Sequence, residues 1–244
     1  MKVLILAGGK GTRFREETDV KPKPMIEVSG KPIILHIIEH YVSYGYKDFV
    51  ILAGYKLDYF FEYFNNSKFV NKDNVFKTKD NLTITVLDTG VETGTGGRIK
   101  RAEHLIDEES FLLTYGDGLS SVNIEELVNF HIKNNKIATV TAVRPPARFG
   151  SLTINDSMVT SFGEKVQSKE GWINGGFFVL NKEVFNYIND DEVTFEQGPL
   201  DELAKKSNLV AYKHKGFWYP IDTIREKEIV ESLIKDDKLP WLND

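Results

Sequence analysis

The sequence predicts an α/β fold built on a doubly wound sheet. Apolar runs typical of buried strands alternate, through about the first 140 residues, with segments that keep one apolar helical face. This alternation implies parallel strands joined by crossover helices. Several apolar runs end in glycine-rich turns, so we expect ligands to bind where the carboxyl ends of the strands meet. With 244 residues, of which 41% are hydrophobic, the chain is long enough for one large domain of this class.

The elements of the first half follow from apolar spacing and from the positions of glycine and proline. Short apolar runs predict strands at 3–7, 48–53, 82–87, 111–115 and 138–143. Pro32 is a favoured first helical residue, and apolar residues then repeat at helical spacing from Ile33 until Gly45 ends the helix. Further helices are predicted at 56–64, within the glycine-led segment 88–106, and at 123–133.

The second half has a different, β-rich pattern that starts after residues 144–146. Segments 151–155 and 158–162, separated by a short polar turn, predict a β-hairpin. Further strands are predicted at 175–180, 209–214 and 219–221, and helices at 199–206 and 223–234. Thr223 and Glu226 have the capping-box spacing at the start of the last helix. Because no repeat or linker divides the chain, we predict one domain over residues 1–244.

The polar stretch 65–81, NNSKFVNKDNVFKTKDN, interrupts the alternation of strands and helices. Its composition is compatible with a surface excursion, with a subunit contact, or with a plain mobile loop. The plain loop is the favoured interpretation.

Composition and charge exclude several classes of function. The net charge of −5 argues against a general nucleic-acid-binding protein, although a small basic pocket is still compatible with it. The absence of cysteine excludes disulfides and cysteine-based zinc sites. The chain has no signal peptide and no apolar run near membrane-spanning length, so a cytoplasmic location without membrane association is expected.

The loop at residues 8–13, GGKGTR, has the composition of an anion-binding turn. Its glycines let the backbone approach an anion, and successive N–H groups can form a nest. Ten residues later Lys23 lies between Pro22 and Pro24, which disfavour a helix interior and predict an extended lysine that points in one direction. A tight structural turn would explain the glycines but not the surrounding cations. The stretch therefore predicts a polyphosphate site.

Asp117 and Asp222 are the candidate metal ligands. Each has an ordinary structural explanation, since Asp117 lies between glycines in YGDG and Asp222 precedes the last helix. Taken together they are two carboxylates at predicted strand ends beside a polyphosphate loop. Such an arrangement suits Mg²⁺, which takes oxygen ligands from both protein and phosphate.

The ordered set of motifs LAGGKGTR, KPKPM, YGDG, GEK, INGGFFVL and FWYPIDT resembles the sugar-phosphate nucleotidyltransferase family, and within it the glucose-1-phosphate cytidylyltransferase branch. The segments DTG…TGGRIKRA, PPARFGSL and FEQGPL add matches to that branch. The resemblance implies a Rossmann-like, doubly wound mixed sheet of the nucleotide-diphospho-sugar transferase type, with a small β-rich subregion on the sugar side. It also implies a nucleotide-binding half at 1–143 and an acceptor-binding half with the C-terminal helix at 144–244.

The same resemblance implies a reaction in which CTP and a sugar 1-phosphate give a CDP-sugar and pyrophosphate with the help of Mg²⁺, in a homo-oligomer. Arg13 and Lys23 would be catalytic, and Asp117 and Asp222 would hold the metal. The implied nucleotide-binding residues are Leu6, Ala7, Gly8, Gly9, Gly11, Thr12, Arg13, Thr93, Gly97, Arg98 and Gly116. The implied acceptor-binding residues are Glu164, Lys165, Asn174 and Gly175.

Departures from the branch pattern concern the acceptor side. Val166 follows GEK where proline is usual, Trp172 replaces a smaller apolar residue, and Gly198 stands where an acidic residue is common. Neutral drift explains these changes as well as a different acceptor would, such as another phosphorylated sugar or a polyol phosphate. A uridylyl- or thymidylyltransferase and a non-catalytic nucleotide-sugar-binding regulator also stay open as alternatives.

Overall fold

The structure is a computed structural model that describes residues 1–67, 69–145, 151–155, 157–163, 171–234 and 239–242. Its strands are β1 (Val3–Ala7), β2 (Glu27–Val28), β3 (Lys31–Pro32), β4 (Asp48–Ala53), β5 (Val70–Lys72), β6 (Val75–Lys77), β7 (Thr83–Asp88), β8 (Ser110–Tyr115), β9 (Gly118–Ser120), β10 (Ala138–Val143), β11 (Ser151–Asn155), β12 (Met158–Gly163), β13 (Ile173–Asn181), β14 (Leu209–Lys213) and β15 (Trp218–Pro220). Its α-helices are α1 (Arg15–Thr18), α2 (Ile33–Ser43), α3 (Leu57–Asn65), α4 (Thr95–Arg101), α5 (Ile124–Asn134), α6 (Pro199–Lys205) and α7 (Ile224–Ser232). Short 3₁₀ turns cover Thr12–Phe14, Lys23–Met25, Glu103–Leu105 and Lys182–Tyr187.

A nine-stranded sheet in the order β14-β10-β13-β8-β1-β4-β7-β6-β5 organises the fold. Its centre is parallel, because β1 pairs with both β4 and β8, and β4 pairs with β7. The chain moves outward from β1 through β4 and β7, and then crosses back to β8 on the other side of β1. The strand order therefore reverses between β1 and β8, where doubly wound folds bind their ligands. The predicted α/β class is confirmed.

The antiparallel strands of the sheet flank this parallel centre. Strand β13 runs antiparallel to both β8 and β10, while β6 and β5 extend the opposite edge beyond β7. The reversed direction of β13 places its first residues at the same sheet edge as the carboxyl end of β8, because Phe177 pairs with Thr114. The second half of the chain thus reaches the edge at which β1 and β8 end.

The polar stretch 65–81 contains two strands, so the plain-loop prediction is wrong for residues 70–77. Strands β5 and β6 form an antiparallel hairpin that pairs onto β7. Phe76 on β6 is fully buried and its ring centroid lies 5.4 Å from that of Phe64. Every residue of β5 is exposed, so this strand depends on backbone pairing and lacks the apolar alternation by which strands are predicted.

Two apolar clusters cover the two faces of the sheet. Val3 and Ile5 belong to the cluster that includes α2, whereas Leu4 between them belongs to the opposite cluster with Phe111 and Phe185. Strands buried on both faces have continuous apolar sequences, which is why β1 and β8 were predictable from short apolar runs. Both strands are therefore rigid supports for the loops that follow them. In the part of the chain that the structure describes, no helix is long and apolar enough to cross a membrane.

Candidate active site

A cavity of about 560 Å³ lies at the point where the strand order reverses, a volume typical of small-ligand sites. The loops that follow β1, β7 and β8 form its walls, together with residues before α6 and α7. Among the residues predicted from sequence, those that line it are Leu6, Ala7, Gly8, Gly9, Gly11, Thr12, Lys23, Thr93, Arg98, Gly116, Asp117 and Asp222. The structure thus brings together most of the predicted nucleotide and metal residues.

The glycine-rich loop after β1 is held tightly against Lys23. Gly11 has φ +61°, which favours glycine, and a β-carbon there would lie 2.8 Å from Thr18 Cγ2 and 3.2 Å from Lys23 Cβ. The hydroxyl of Thr18 closes the turn by donating to the carbonyl oxygens of Gly11 at 3.1 Å and Phe14 at 3.0 Å. The loop and Lys23 therefore form one rigid unit.

Arg98 packs against the glycine-rich loop at Gly8. Its guanidinium is buried and donates to Thr89 Oγ1 at 2.7 Å, to the carbonyl oxygen of Gly90 at 2.6 Å and to that of Val91 at 3.0 Å. A β-carbon at Gly8 would lie only 2.0 Å from Arg98 Nη1. Burial, and after it the charge of a neighbouring arginine, lowers the pKa of Arg98. The side chain lines the cavity, but most of its hydrogen bonds go to the loop after β7, which it braces against the loop after β1.

The close contact between Gly8 and Arg98 leads to a prediction about stability. We expect Gly8→Ala to lower the free energy of unfolding by about 1–3 kcal/mol, because the new methyl group must displace a buried guanidinium from its carbonyl partners. Gly9→Ala is the matched control, since among the described residues no atom lies within 4 Å of its β-carbon position. Urea denaturation of the free protein measures both. Equal losses in the two variants would contradict the bracing role of Arg98.

Lys23 joins the loop to both candidate metal ligands. Its ammonium nitrogen lies 2.6 Å from Asp117 Oδ2 and 2.5 Å from Asp222 Oδ1, and the residue is only 9% exposed. Burial by itself lowers the pKa of Lys23, but the charges and hydrogen bonds of the two carboxylates outweigh it and raise the pKa above its usual value. The lysine is therefore a fixed cation of the cavity.

The backbone at Lys23 differs from the sequence prediction. Pro22 is extended, with ψ 146°, but Lys23 opens a 3₁₀ turn in which the Met25 N–H donates to the Pro22 carbonyl oxygen at 2.8 Å. The predicted extended conformation is wrong at Lys23 itself. The predicted fixed direction is confirmed, because the side chain is held between two carboxylates.

A small ribbon brings Asp117 and Asp222 together. Asp117 follows β8, and Asp222 follows β15, which pairs antiparallel with β9. The Ile221 N–H donates to the Asp117 carbonyl oxygen at 2.9 Å, and the Asp222 N–H donates to Glu226 Oε2 at 2.8 Å. Thr223 Oγ1 accepts from the Glu226 N–H at 3.3 Å, so the predicted helix cap is present. The side chain of Glu226, the second residue of this cap, also holds the backbone of Asp222 through the hydrogen bond just described.

The two carboxylates fit a divalent cation. Both approach one ammonium nitrogen, so their oxygen atoms already surround a single positive centre. Within the described residues, no group of three or more histidine, cysteine, aspartate or glutamate side chains could hold a metal ion. A cation at Asp117 and Asp222 would therefore take its remaining ligands from phosphate and water, as Mg²⁺ does in nucleotide sites.

Gly97 packs against the segment that precedes α6. Gly97 faces the chain at Asp191, because a β-carbon there would lie 2.3 Å from the Asp191 carbonyl oxygen. Close packing of the backbone therefore requires glycine here, and the predicted contact of Gly97 with nucleotide stays a prediction. Arg13 lies in the 3₁₀ turn Thr12–Phe14 that continues the loop.

The predicted acceptor residues are only partly described. Asn174 is exposed and donates through Nδ2 to the hydroxyl of Tyr115, a cavity-lining residue, at 3.0 Å. Gly175 is buried, and its carbonyl oxygen accepts from Trp218 Nε1 at 2.7 Å. Glu164 and Lys165 lie outside the described residues, as does Val166.

Sequence reasoning included Lys10 among the cations of the glycine-rich loop but missed the polar partners that the cavity wall brings together. Lys10 and Glu92 form an ion pair of 2.6 Å between the loops after β1 and β7, and both are exposed. Tyr115, Thr95 and Glu196 also line the cavity and are linked by hydrogen bonds. The FEQGPL match included Glu196, but nothing in a single sequence pairs it with residues on β8 and α4.

At its switch point this sheet has a glycine-rich loop, a fixed lysine and two carboxylates, an arrangement typical of transferases that act on phosphate-bearing substrates. The chain belongs to the Nucleotidyl transferase family, whose sequence model matches residues 2–225. It is similar to the glucose-1-phosphate cytidylyltransferase of Salmonella typhimurium, with 47% identity over 99% of this chain and 98% of that protein. It is 32% identical, over 91% of this chain and 60% of the relative, to a mannose-1-phosphate guanyltransferase of Yarrowia lipolytica. Among solved structures, HddC from Yersinia pseudotuberculosis complexed with GMP-PN has a TM-score of 0.73 and 27% identity, covering 96% of this chain and 99% of that one.

Proposed function

We propose that the protein is a cytidylyltransferase that joins CTP to a sugar 1-phosphate, with glucose 1-phosphate as the preferred acceptor, and releases pyrophosphate. The observation that carries the proposal is the convergence of the glycine-rich loop, Lys23, Asp117 and Asp222 on one cavity. The nearly full-length identity of 47% to a glucose-1-phosphate cytidylyltransferase supports the choice of both substrates.

The proposed reaction needs no protein nucleophile. A phosphate oxygen of the sugar 1-phosphate attacks the α-phosphorus of CTP, a new O–P bond forms, and the bond to the bridging oxygen breaks to release pyrophosphate. Since the attacking oxygen is already anionic, the barrier lies mainly in bringing two anions together in line and in neutralising charge. We assign the neutralisation of charge to the backbone amides of the glycine-rich loop, to Lys23 and to Arg13. The role of Arg13 is a prediction from sequence alone.

Lys23 would act at the α-phosphate. In the free protein its ammonium is buried beside the loop, and the adjacent carboxylates raise its pKa. Asp117 and Asp222 would hold Mg²⁺, which when bound supplies further positive charge to the triphosphate and to the departing pyrophosphate. The carboxylates keep Lys23 in place in the free protein and would release it when they bind the metal.

Other features expected from the sequence stay proposals. We place the nucleotide-binding half at residues 1–143 and the acceptor-binding half at 144–244, with Glu164, Lys165, Asn174 and Gly175 on the acceptor side. A homo-oligomer and a cytoplasmic location are likewise inferred from the family resemblance and from sequence composition.

A substrate matrix tests the proposed function. Purified protein with Mg²⁺ is incubated with CTP, UTP, dTTP or GTP against glucose 1-phosphate, other sugar phosphates and a polyol phosphate, and pyrophosphate is measured. We expect CTP with glucose 1-phosphate to exceed every other pair by about 100-fold or more in kcat/KM, since a site that hydrogen-bonds its own substrates rejects analogues that leave those groups unpaired. Turnover led by UTP or dTTP would overturn the choice of base, and a different leading acceptor would overturn glucose 1-phosphate. CTP binding without pyrophosphate release from any pair would favour the non-catalytic regulator.

A further inference from the structure

Glu196 is a cavity residue to which the proposed chemistry assigns no role. It lies in the segment before α6 and is only partly exposed. One carboxylate oxygen accepts a hydrogen bond from Thr95 Oγ1 at 2.8 Å, and the other accepts from the Tyr115 hydroxyl. Both partners also line the cavity, so a single carboxylate joins two of its walls.

The Thr95 side of this network anchors Glu196. Thr95 is the first residue of α4, and its hydroxyl oxygen also accepts from the Phe195 N–H at 2.8 Å. The segment before α6 is further tied to the start of α4, because the Gly94 N–H donates to the Asp191 carbonyl oxygen at 2.7 Å and the Gly96 N–H donates to that of Val193 at 3.0 Å. Glu196 is therefore supported by a rigid backbone contact and by one hydroxyl.

The Tyr115 side extends toward the predicted acceptor residues. Tyr115 ends β8, and its hydroxyl accepts from Asn174 Nδ2 at 3.0 Å while it donates to Glu196. Asn174 Oδ1 in turn accepts from the Gly176 N–H at 2.8 Å. The amide nitrogen of Asn174 can only donate, so the phenol oxygen of Tyr115 accepts there and its single proton goes to Glu196. Every hydrogen bond in this chain therefore has a fixed direction, from Asn174 through Tyr115 to Glu196.

We propose that Glu196 is a positioning residue for the acceptor sugar phosphate, acting through Tyr115 on the side-chain amide of Asn174. The inference rests on the proposed function, which places the acceptor beside Asn174. A carboxylate can only accept, so it forces the Tyr115 hydroxyl to point toward it and leaves the phenol oxygen to accept from Asn174. Asn174 then presents one orientation of its amide, as alignment of the attacking phosphate requires.

Glutamine at position 196 would remove this constraint without changing the size of the side chain. Its amide nitrogen can only donate, so either Tyr115 or Thr95 loses its acceptor. If the amide donates to the phenol oxygen, the hydroxyl of Tyr115 must turn toward Asn174. Asn174 could accept only by flipping its amide, and the Gly176 N–H would then lose its partner.

The test is steady-state kinetics of Glu196→Gln in the full chain, with calorimetric binding of CTP in parallel. We expect kcat to fall about 10- to 100-fold and the acceptor KM to rise about tenfold, while the CTP affinity stays within about threefold. Tyr115→Phe should shift the same two constants, and the double variant should be no worse than the poorer single variant, because both changes interrupt one chain of bonds. Glu183→Gln, at an exposed glutamate in the turn Lys182–Tyr187, is the control and should match the wild type.

The outcomes separate the inference from the proposed function. A wild-type protein that turns over no substrate pair would overturn both the proposed function and this inference. Wild-type turnover with an unchanged acceptor KM in Glu196→Gln would overturn the positioning role alone. Equal losses of acceptor and CTP affinity in Glu196→Gln, or additive effects in the double variant, would indicate that Glu196 is only structural. Either result would also overturn the positioning role. Should Glu196→Gln fail to fold, Tyr115→Phe decides by the same constants, since it removes only an oxygen atom.

Discussion

Replacing Lys23 with alanine is expected to lower kcat by about 10²- to 10³-fold, with a change of less than about tenfold in the affinity for CTP. The ammonium is buried next to the glycine-rich loop and is held by two carboxylates, so it is preorganised for the charge that develops on the α-phosphate. Interactions that strengthen only in the transition state affect turnover more than binding. Pyrophosphate release gives kcat, and calorimetry of CTP with the free variant gives the affinity.

The matched control for this experiment is Lys21→Ala. Lys21 lies two residues earlier in the same segment, and its ammonium faces Glu27 at 3.6 Å instead of the cavity carboxylates. The control removes the same charge, so general electrostatic attraction of the nucleotide would weaken equally in both variants. A Lys23→Ala protein with kcat within about threefold of wild type would remove Lys23 from the mechanism.

The part of the site that could be predicted from sequence is the part with local signals. The glycine-rich loop follows a strand buried on both faces, so its position and its need for glycine are readable from neighbouring residues. Asp117 follows β8 of the central sheet, whose carboxyl end lies where the strand pattern predicts a ligand site. Asp222 follows β15, which pairs with β9 outside that sheet, so its approach to Lys23 depends on a ribbon that the alternating pattern does not imply.

What sequence could not predict depends on contacts between distant segments. Gly97 lies in a glycine-rich motif, but the group that requires it is the backbone at Asp191, and no local pattern shows that contact. The same holds for Glu196, whose partners lie on α4 and β8. Strand β5 was missed for a different reason: all of its side chains, including that of Val70, are exposed, so its pairing with β6 produces no alternation of apolar and polar residues.

Asp117→Asn and Asp222→Asn are each expected to raise the Mg²⁺ concentration for half-maximal activity by at least about tenfold. Loss of even an indirect support of a metal ligand typically costs 10- to 100-fold in affinity, and loss of a ligand charge should cost no less. Both carboxylates contact the ammonium nitrogen of Lys23, so each would contribute its own ligand to a cation at that position. Loss of either one therefore removes a ligand that the other does not supply. Titration of each purified variant with Mg²⁺ at saturating CTP and acceptor measures the shift, and Asp58→Asn, at an exposed aspartate in the first turn of α3, controls for the change in net charge.

Direct binding of Mn²⁺ to the nucleotide-free protein shows whether these losses arise at the metal position. In the free protein the ammonium of Lys23 occupies the space between the two carboxylates, and a divalent cation must displace it. Lys23→Ala removes that competitor and leaves two carboxylates facing each other, so it should bind Mn²⁺ more tightly than wild type even though it turns over more slowly. The asparagine variants should bind it more weakly. Opposite shifts in the two kinds of variant identify Asp117 and Asp222 as the metal ligands, whereas a weaker affinity in Lys23→Ala, or an unchanged one in both asparagine variants, would exclude that assignment.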